Sequence, residues 1–249
     1  MTKIRLAILI SGGGTTAEAV IRACQSGELP GITPVVVITD RESAGGIEKA
    51  KALGIETVVV NPKIEGELLK TLQKYNVDLV SQNGWLALTP PDVVEFYSGK
   101  IINQHPGPLD PGRHADFGGR GMYGARVVCA RNVYCWLTGT DFWTEAVTHF
   151  VTERFDEGDL IRVERMKMPE REKIEEDQLK NLSSELIAET KKVQEQLLPL
   201  EHKNVIETLR MFAKGSAAGF RRQTPLIPDE NKKYLDIAKQ TAIELFPNG

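Results

Sequence analysis

The first hundred residues alternate between apolar runs and helical patterns, which restricts the folds open to the chain. Runs typical of buried strands occupy residues 4–10, 33–39, 57–60, 78–81 and 100–103. Helical patterns separate them, over residues 17–25, 46–53, 65–74 and 90–96. Continuous apolar strands are typical of a sheet covered on both faces, and strand–helix alternation favours parallel pairing. We therefore predict a Rossmann-like α/β fold, with a mostly parallel twisted sheet flanked by helices.

The middle of the chain departs from this rhythm. A stretch rich in Gly, Pro and Asp predicts an inserted loop around residues 108–145, with a helix over 124–132 inside it. Strand-like alternation follows over residues 145–152 and 160–166. Between these two runs, Asp156-Glu157-Gly158 resembles a hairpin turn.

The last third is mainly helical. A helical pattern covers residues 173–214, and Pro199 is expected to break it in two, because a proline inside a helix removes a backbone hydrogen bond. A final amphipathic helix is expected over 231–245. We divide the chain into a catalytic domain over residues 1–215 and a C-terminal extension over 216–249.

Charge and cysteine content exclude several classes of protein. The net charge of −3 gives no broad electrostatic reason to bind nucleic acid or an anionic membrane. No apolar run is long enough for a membrane helix, and the N-terminus lacks the features of a signal peptide. The three cysteines, Cys24, Cys129 and Cys135, match neither a zinc site nor a disulfide framework. We expect reduced thiols, no metal, a cytoplasmic location, small-molecule substrates, and a monomer or homodimer.

A glycine-rich turn, Gly12-Gly13-Gly14-Thr15-Thr16, lies between the first predicted strand and the first helix. Backbone N–H groups at a helix N-terminus can hold an anion, with help from the helix dipole. The turn has neither the spacing of a dinucleotide-binding fingerprint nor the lysine of a P-loop. Two interpretations stay open for this segment alone: a phosphate site, or a tight turn that needs glycine for steric reasons.

Three polar residues suit acyl chemistry. Asn103 and His105 lie two residues apart at the end of a predicted strand, so their side chains point to the same face. An amide N–H can stabilise a developing oxyanion while an imidazole moves a proton. Asp156, in the predicted turn, can reach an imidazole and hold its protonated form. Taken singly, the histidine can also be a strand cap and the aspartate an ordinary turn residue.

In combination, these segments resemble the folate-dependent formyltransferase family. The motifs that carry the resemblance are, in chain order, Ile8 to Thr15, Asn103-Gln104-His105-Pro106, His149-Phe150-Val151, Asp156-Glu157-Gly158 and Leu200-Glu201-His202. The resemblance covers roughly residues 4–215. Each motif is weak alone, whereas their order and spacing together are specific.

The resemblance implies an enzyme in which Asn103, His105 and Asp156 are catalytic. The formyl donor would be the co-substrate 10-formyltetrahydrofolate, and the acceptor the amine of glycinamide ribonucleotide in de novo purine biosynthesis. The acceptor's phosphate and ribose would contact Gly13, Gly14, Thr15, Thr16 and Glu201. The folate would contact Leu86, Ala87, Leu88, Asn103, Thr152 and Asp156.

Two departures from the family pattern bear on the acceptor. Thr16 stands where the family usually has Asn, and Gly66 stands near the position of an Arg that helps to hold the phosphate. Another cation is then expected at the phosphate, and the candidates are Arg113, Arg120, Arg221 and Arg222. The stretch Gly84-Trp85-Leu86-Ala87-Leu88 also departs from the family's folate-binding segment, and Trp85 there is either a core residue or a stacking surface. The extra sequence between Pro106 and His149 is either a lid or recognition element, or a surface loop.

Other functions stay open at this stage. The same chemistry can act on another amine, such as a nucleotide-linked amino sugar, and a related hydrolase cleaves formyltetrahydrofolate to formate. The methionyl-tRNA enzyme of the family is disfavoured, because residues 216–249 are too short for its C-terminal β-barrel. A non-catalytic folate- or nucleotide-binding module is the alternative from a different class.

Overall fold

The central sheet has seven strands in the order β3-β2-β1-β4-β5-β6-β7. A computed structural model of the protein describes residues 3–249, and its strands are β1 (Ile4–Ile10), β2 (Ile32–Thr39), β3 (Thr57–Val59), β4 (Leu79–Gln82), β5 (Ile101–His105), β6 (Trp143–Phe150) and β7 (Leu160–Lys167). The first five pair in parallel, whereas β6 and β7 are antiparallel. The predicted Rossmann-like fold is confirmed, because the five parallel strands match the predicted runs closely.

Helices cover both faces of the sheet. They are α1 (Thr15–Ser26), α2 (Gly46–Ala52), α3 (Glu67–Lys74), α4 (Pro91–Phe96), α5 (Ala125–Thr138), α6 (Ser183–Ala213) and α7 (Lys232–Leu245), with 3-10 helices at Glu176–Leu182 and Asp229–Asn231. Alternate residues of β1 enter different cores: Ile8 packs with α1 and α6, and Leu9 packs with α3 and α4. Burial on both faces explains why the strands are apolar throughout.

The segment predicted as an inserted loop around residues 108–145 contains more regular structure than expected. Residues 106–124 are irregular, but α5 continues to Thr138 and β6 begins at Trp143. Helix α5 is buried nearly all round, because β6, α6 and α7 enclose it. The helix predicted over 124–132 is therefore confirmed and is longer than expected, and the strand run predicted over 145–152 begins earlier than residue 145. The hairpin is confirmed, since residues 151–159 connect the antiparallel strands β6 and β7.

Pro199 does not divide the long helical segment, so that prediction is wrong. Helix α6 runs from Ser183 to Ala213 without interruption, with Pro199 inside it. Buried residues on both sides of the proline, such as Leu197 and Val205, pack against the rest of the protein. Tertiary packing on both sides therefore outweighs the missing hydrogen bond.

The C-terminal extension belongs to the same body as the sheet. Helix α7 packs along α5, and Leu235, Ala238 and Ala242 are buried in their shared core. Arg126 of α5 donates to the carbonyl oxygens of Phe246 at 2.7 Å and Pro247 at 2.6 Å. No helix among residues 3–249 is long and apolar enough to cross a membrane.

Replacing Pro199 by alanine is expected to stabilise the protein by about 1–2 kcal/mol, because a helix N–H is regained at an exposed position. Urea unfolding of Pro199→Ala measures the change in the free energy of unfolding. Gln196→Ala, at another exposed position of α6, serves as the control and is expected to change stability by less than about 0.5 kcal/mol. An unchanged midpoint for Pro199→Ala would contradict the prediction.

Candidate active site

Segments that follow the parallel strands meet in one cavity of about 630 Å³ at the carboxyl edge of the sheet. Residues 11–16 follow β1, residues 83–89 follow β4, and Asn103 to Pro106 belong to the end of β5 and the loop after it. The sequence predicts this convergence from the topology alone, and it is confirmed. The remaining walls come from the face of α6 that carries Glu201 and from Arg41, residues 119–124, His149, residues 151–152, residues 154–156, Asn248 and Gly249.

The three glycines of the turn after β1 have different surroundings. Gly14 has a φ of +64°, and a Cβ there would lie 2.7 Å from the Cα of Gly46. A Cβ at Gly12 or Gly13 would meet nothing within 4 Å. Steric need therefore explains Gly14, while Gly12 and Gly13 leave open space beside the N-terminus of α1, where backbone N–H groups can receive an anion.

Asn103 lies between a histidine and an aspartate. Its Nδ2 is 3.1 Å from Nε2 of His149 and 3.4 Å from Oδ1 of Asp156. Strand register produces the first contact, because Asn103 of β5 pairs directly with His149 of β6. Nδ1 of His149 is 2.7 Å from the carbonyl oxygen of Phe150, which can only accept. His149 therefore presents Nε2 to the asparagine, a role that the sequence analysis did not assign to it.

His105 is buried at the opposite side of the same carboxylate. Its Nδ1 is 3.7 Å from Oδ1 of Asp156, and its Nε2 is 3.3 Å from the carbonyl oxygen of Phe117. Oδ1 of Asp156 also lies 3.4 Å from Nε2 of His149. The structure thus brings Asn103, His105 and Asp156 together, as predicted, and adds His149 to the group.

The backbone holds Asp156 in an unusual conformation. Its φ is +59°, in the left-handed region that aspartate tolerates better than most residues. The N–H of Gly119 donates to its Oδ2 at 2.9 Å. Left-handed backbone at a non-glycine residue stores strain of about 1–3 kcal/mol, and such strain clusters at functional sites.

Burial and neighbouring charges shift the pKa values of Asp156 and His105 in opposite directions. Burial raises the pKa of Asp156, but His105, His149 and the Gly119 N–H outweigh it and bring the pKa to about 2. For His105, burial lowers the pKa and outweighs the opposite effect of Asp156. The predicted influence of Asp156 has the right sign, yet the net pKa of His105 lies below the ordinary value. The lowered pKa favours the neutral imidazole in the free protein.

Glu201 of α6 lies in the cavity wall, and its residue is only 8% exposed. Burial raises its pKa to about 7, and the nearby amide of Gln104 opposes that shift. A carboxyl group with this pKa can either donate or accept a hydrogen bond near neutral pH.

The predicted folate segment lines the cavity opposite the polar group. Leu86, Ala87 and Leu88 form an apolar wall, and the N–H of Leu86 donates to Oγ of Ser11 at 2.9 Å. Thr152 lies in the same cavity. Trp85 is buried in a hydrophobic cluster with Leu9 and Val80, and it also lines the cavity.

Most of the proposed substitute cations have other partners. Arg113 binds Asp110 at 2.7 Å, Arg221 binds Asp159 at 2.6 Å, and Arg222 pairs with Glu145. Arg120 lines the cavity, as do Arg41 and Arg154, which the sequence analysis missed. Gly66 lies outside the cavity lining, at the N-terminus of α3.

Arg41 belongs to the segment that follows β2, and this segment lies beside the glycine turn. Thr39, at the end of β2, pairs with Ile10 at the end of β1, so the segment after β2 begins beside the glycine turn. The N–H of Gly46 donates to the carbonyl oxygen of Gly12 at 3.1 Å and holds the two segments together. Among residues 3–249, no three His, Cys, Asp or Glu side chains are grouped as metal ligands.

The sheet is doubly wound, and Asn103, His105 and Asp156 line one cavity at its carboxyl edge. This combination of fold and site is typical of α/β enzymes that bind small molecules. The chain belongs to the formyl transferase family, whose sequence pattern matches residues 4–191.

Named relatives in this family are mainly phosphoribosylglycinamide formyltransferases. The chloroplastic one of Arabidopsis thaliana is 32% identical over 166 residues, which are 63% of this chain and 53% of that protein. The one from Haemophilus influenzae is 28% identical over 179 residues, covering 69% and 77% of the two chains. The chain spans about half the length of the plant relatives, 53% and 49%.

Solved structures agree with this assignment of fold. The crystal structure of glycinamide ribonucleotide transformylase 1 from Symbiobacterium toebii has a TM-score of 0.61 and 29% identity. The match covers 86% of this chain and 89% of that one.

Stability is expected to depend on pH through Glu201. Its pKa is about 7 in the folded protein against 4.5 for the free group, so between these values only the folded state holds the proton. The free energy of unfolding therefore falls as pH rises through this window, by about 3 kcal/mol. Glu201→Gln is expected to lack this fall and to gain stability relative to the wild type between pH 5 and pH 8.

Urea unfolding at several pH values tests this expectation. Glu195→Gln, which removes an exposed carboxyl group from the same helix, is the control and should follow the wild type. Parallel curves for Glu201→Gln and the wild type would show that Glu201 does not cause the pH dependence.

Proposed function

We propose that this protein transfers the formyl group of 10-formyltetrahydrofolate to the amine of glycinamide ribonucleotide, a step of de novo purine biosynthesis. The observation that carries the proposal is the meeting of Asn103, His105 and Asp156 within 3.7 Å at the end of the cavity. Membership in the formyl transferase family and the names of the relatives support it. Action in the cytoplasm stays a prediction.

The cavity suits two ligands of the proposed kinds. Its volume of about 630 Å³ lies in the range of small-molecule sites. Leu86 to Leu88 offer an apolar wall to the pterin, with Thr152 and Asp156 on the polar side. The glycine turn and α1 offer backbone N–H groups to the acceptor phosphate, with Thr15 and Thr16 beside them, and Glu201 offers a carboxyl group to the ribose.

The donor supplies a formyl carbon that an amine can attack, and the protein residues lower the barrier. The amide of Asn103 turns one N–H from Asp156, 3.4 Å away, to the formyl oxygen as that oxygen gains negative charge. His105 starts neutral because of its burial, so it first takes the proton that the attacking amine must lose. Asp156 stabilises the resulting imidazolium, and His105 then passes the proton to the folate nitrogen as the bond to the formyl carbon breaks.

Turnover is expected to depend on all three residues. Asn103→Ala is expected to lower kcat about 100- to 1,000-fold, because it removes a donor to the developing oxyanion. His105→Asn and Asp156→Asn should lose most turnover as well, since one removes the proton carrier and the other its counter-charge. Release of tetrahydrofolate, measured with and without glycinamide ribonucleotide, is the assay.

His114→Asn is the matched control, because His114 lies outside the cavity lining and its side chain is 63% exposed. Full activity of His105→Asn would contradict the mechanism. Release by the wild type without any amine would indicate a hydrolase, and folate binding without release would indicate another acceptor or a binding module.

Arg41 is expected to hold the acceptor phosphate, with Arg120 as a second cation. Arg41→Gln or Arg120→Gln should raise the KM for glycinamide ribonucleotide about 10-fold, which corresponds to about 1.4 kcal/mol of binding, and leave kcat within about twofold. Arg22→Gln, on the exposed surface of α1, is the control. The dephosphorylated acceptor should bind the variants and the wild type equally, and a loss of the same size with both acceptors would refute this role.

A further inference from the structure

One short turn, residues 116–119, contacts both His105 and Asp156. In the 116–119 turn, the carbonyl oxygen of Phe117 lies 3.3 Å from Nε2 of His105. The N–H of Gly119 donates to Oδ2 of Asp156 at 2.9 Å. The position of the turn therefore sets both the tilt of the imidazole and the orientation of the carboxylate.

Packing leaves the 116–119 turn little freedom on its inner side. The Phe117 ring is fully buried, 5.6 Å from the Tyr134 ring and 5.1 Å from the Arg131 guanidinium. Asp116 accepts from the N–H of Gly118 at 2.9 Å. A Cβ at Gly118 would lie 2.8 Å from the Cβ of Asp156, so the turn rests directly on the aspartate.

Lys239 of α7 holds the other side of the turn. Its Nζ donates to the carbonyl oxygen of Gly118 at 2.9 Å. That oxygen and the N–H of Gly119 belong to the same peptide group, whose N–H donates to Asp156. An ammonium ion on the carbonyl side polarises a peptide and strengthens the hydrogen bond that its N–H donates.

The charges around Lys239 favour this arrangement. Burial lowers the pKa of the Lys239 ammonium, and the carboxylates of Asp116, Asp236 and Asp156 oppose that shift. Lys239 lies beyond residues 4–191, to which the family pattern applies. Its hydrogen bond to Gly118 therefore comes from the C-terminal extension. It links α7 to the catalytic group through a single peptide.

We propose that Lys239 is a positioning residue for the reaction, which acts through the Gly118–Gly119 peptide to orient the Asp156 carboxylate toward His105. The inference rests on the proposed function for its effect on turnover. Its effect on Asp156 does not need turnover, so the two can be tested separately.

Three substitutions and one control test the proposal. Lys239→Met removes both charge and donor, Lys239→Gln keeps a donor without charge, and Lys239→Arg keeps both. Lys233→Met removes an exposed lysine from the same helix. The full-length variants are compared by steady-state kinetics with 10-formyltetrahydrofolate and glycinamide ribonucleotide, and by ¹³C NMR titration of the Asp156 carboxyl group.

Lys239→Met is expected to lower kcat about 10- to 100-fold, as misplaced catalytic groups do, with both KM values within about twofold. The pKa of Asp156 should rise above its value of about 2, because the Lys239 charge is lost and the Gly119 N–H donates less strongly. Lys239→Gln should be intermediate, Lys239→Arg should restore most of both properties, and Lys233→Met should match the wild type.

Several results would overturn the proposal. Wild-type kcat and an unchanged Asp156 titration in Lys239→Met would remove the positioning role. An equal loss in Lys233→Met, or no rescue by Lys239→Arg in a folded protein, would show a general effect on α7. If the wild type releases no tetrahydrofolate but the Asp156 titration still shifts in Lys239→Met, the positioning role stands and the proposed acceptor or reaction fails.

Discussion

The buried charge of Asp156 is the constraint on which the rest of the site depends. A carboxylate removed from water is stable only if hydrogen bonds and opposite charge compensate for the lost solvation. The Asn103 amide and the Gly119 N–H donate to the carboxylate, and the imidazoles of His105 and His149 lie within 3.7 Å of it. They belong to β5, β6 and the 116–119 turn, so one ionised group fixes how the antiparallel end of the sheet and the inserted segment meet. The left-handed φ of Asp156 is the local consequence of placing its carboxylate at that junction.

Glu201 shows what burial does when such compensation is missing. Both carboxyl groups line the same cavity, yet Asp156 has a pKa of about 2 and Glu201 a pKa of about 7. Burial raises both pKa values, and only Asp156 has imidazoles and a backbone N–H to reverse the shift. Widely separated pKa values within one site commonly mark different roles. In the proposed mechanism the permanent anion lies beside the proton carrier, while the carboxyl group that can be protonated would contact the ribose of the acceptor.

The sequence predicts most of the fold because buried parallel strands need continuous apolar runs, and such runs are visible one at a time. It also predicts that Asn103 and His105 share a face, since that follows from strand periodicity. It could not predict that His149 joins them, because this depends on the antiparallel register that pairs His149 with Asn103. Arg41 was missed for a similar reason, as its place beside the glycine turn follows from the pairing of β1 with β2. The Pro199 prediction failed because a local rule was applied to a helix held by tertiary packing on both sides of the proline.

The C-terminal extension illustrates how residues far from the chemistry can be energetically close to it. Helix α7 packs on α5, and α5 carries Arg131, which supports the ring of Phe117. Lys239 binds the next carbonyl of the same turn. Side chains from two helices therefore contact the 116–119 turn. Arg131 of α5 contacts the ring of Phe117, and Lys239 of α7 binds the carbonyl oxygen of Gly118. Because Lys239 reaches the Gly118–Gly119 peptide and that peptide donates to Asp156, a small displacement of α7 would change the geometry of the catalytic pair through the 116–119 turn.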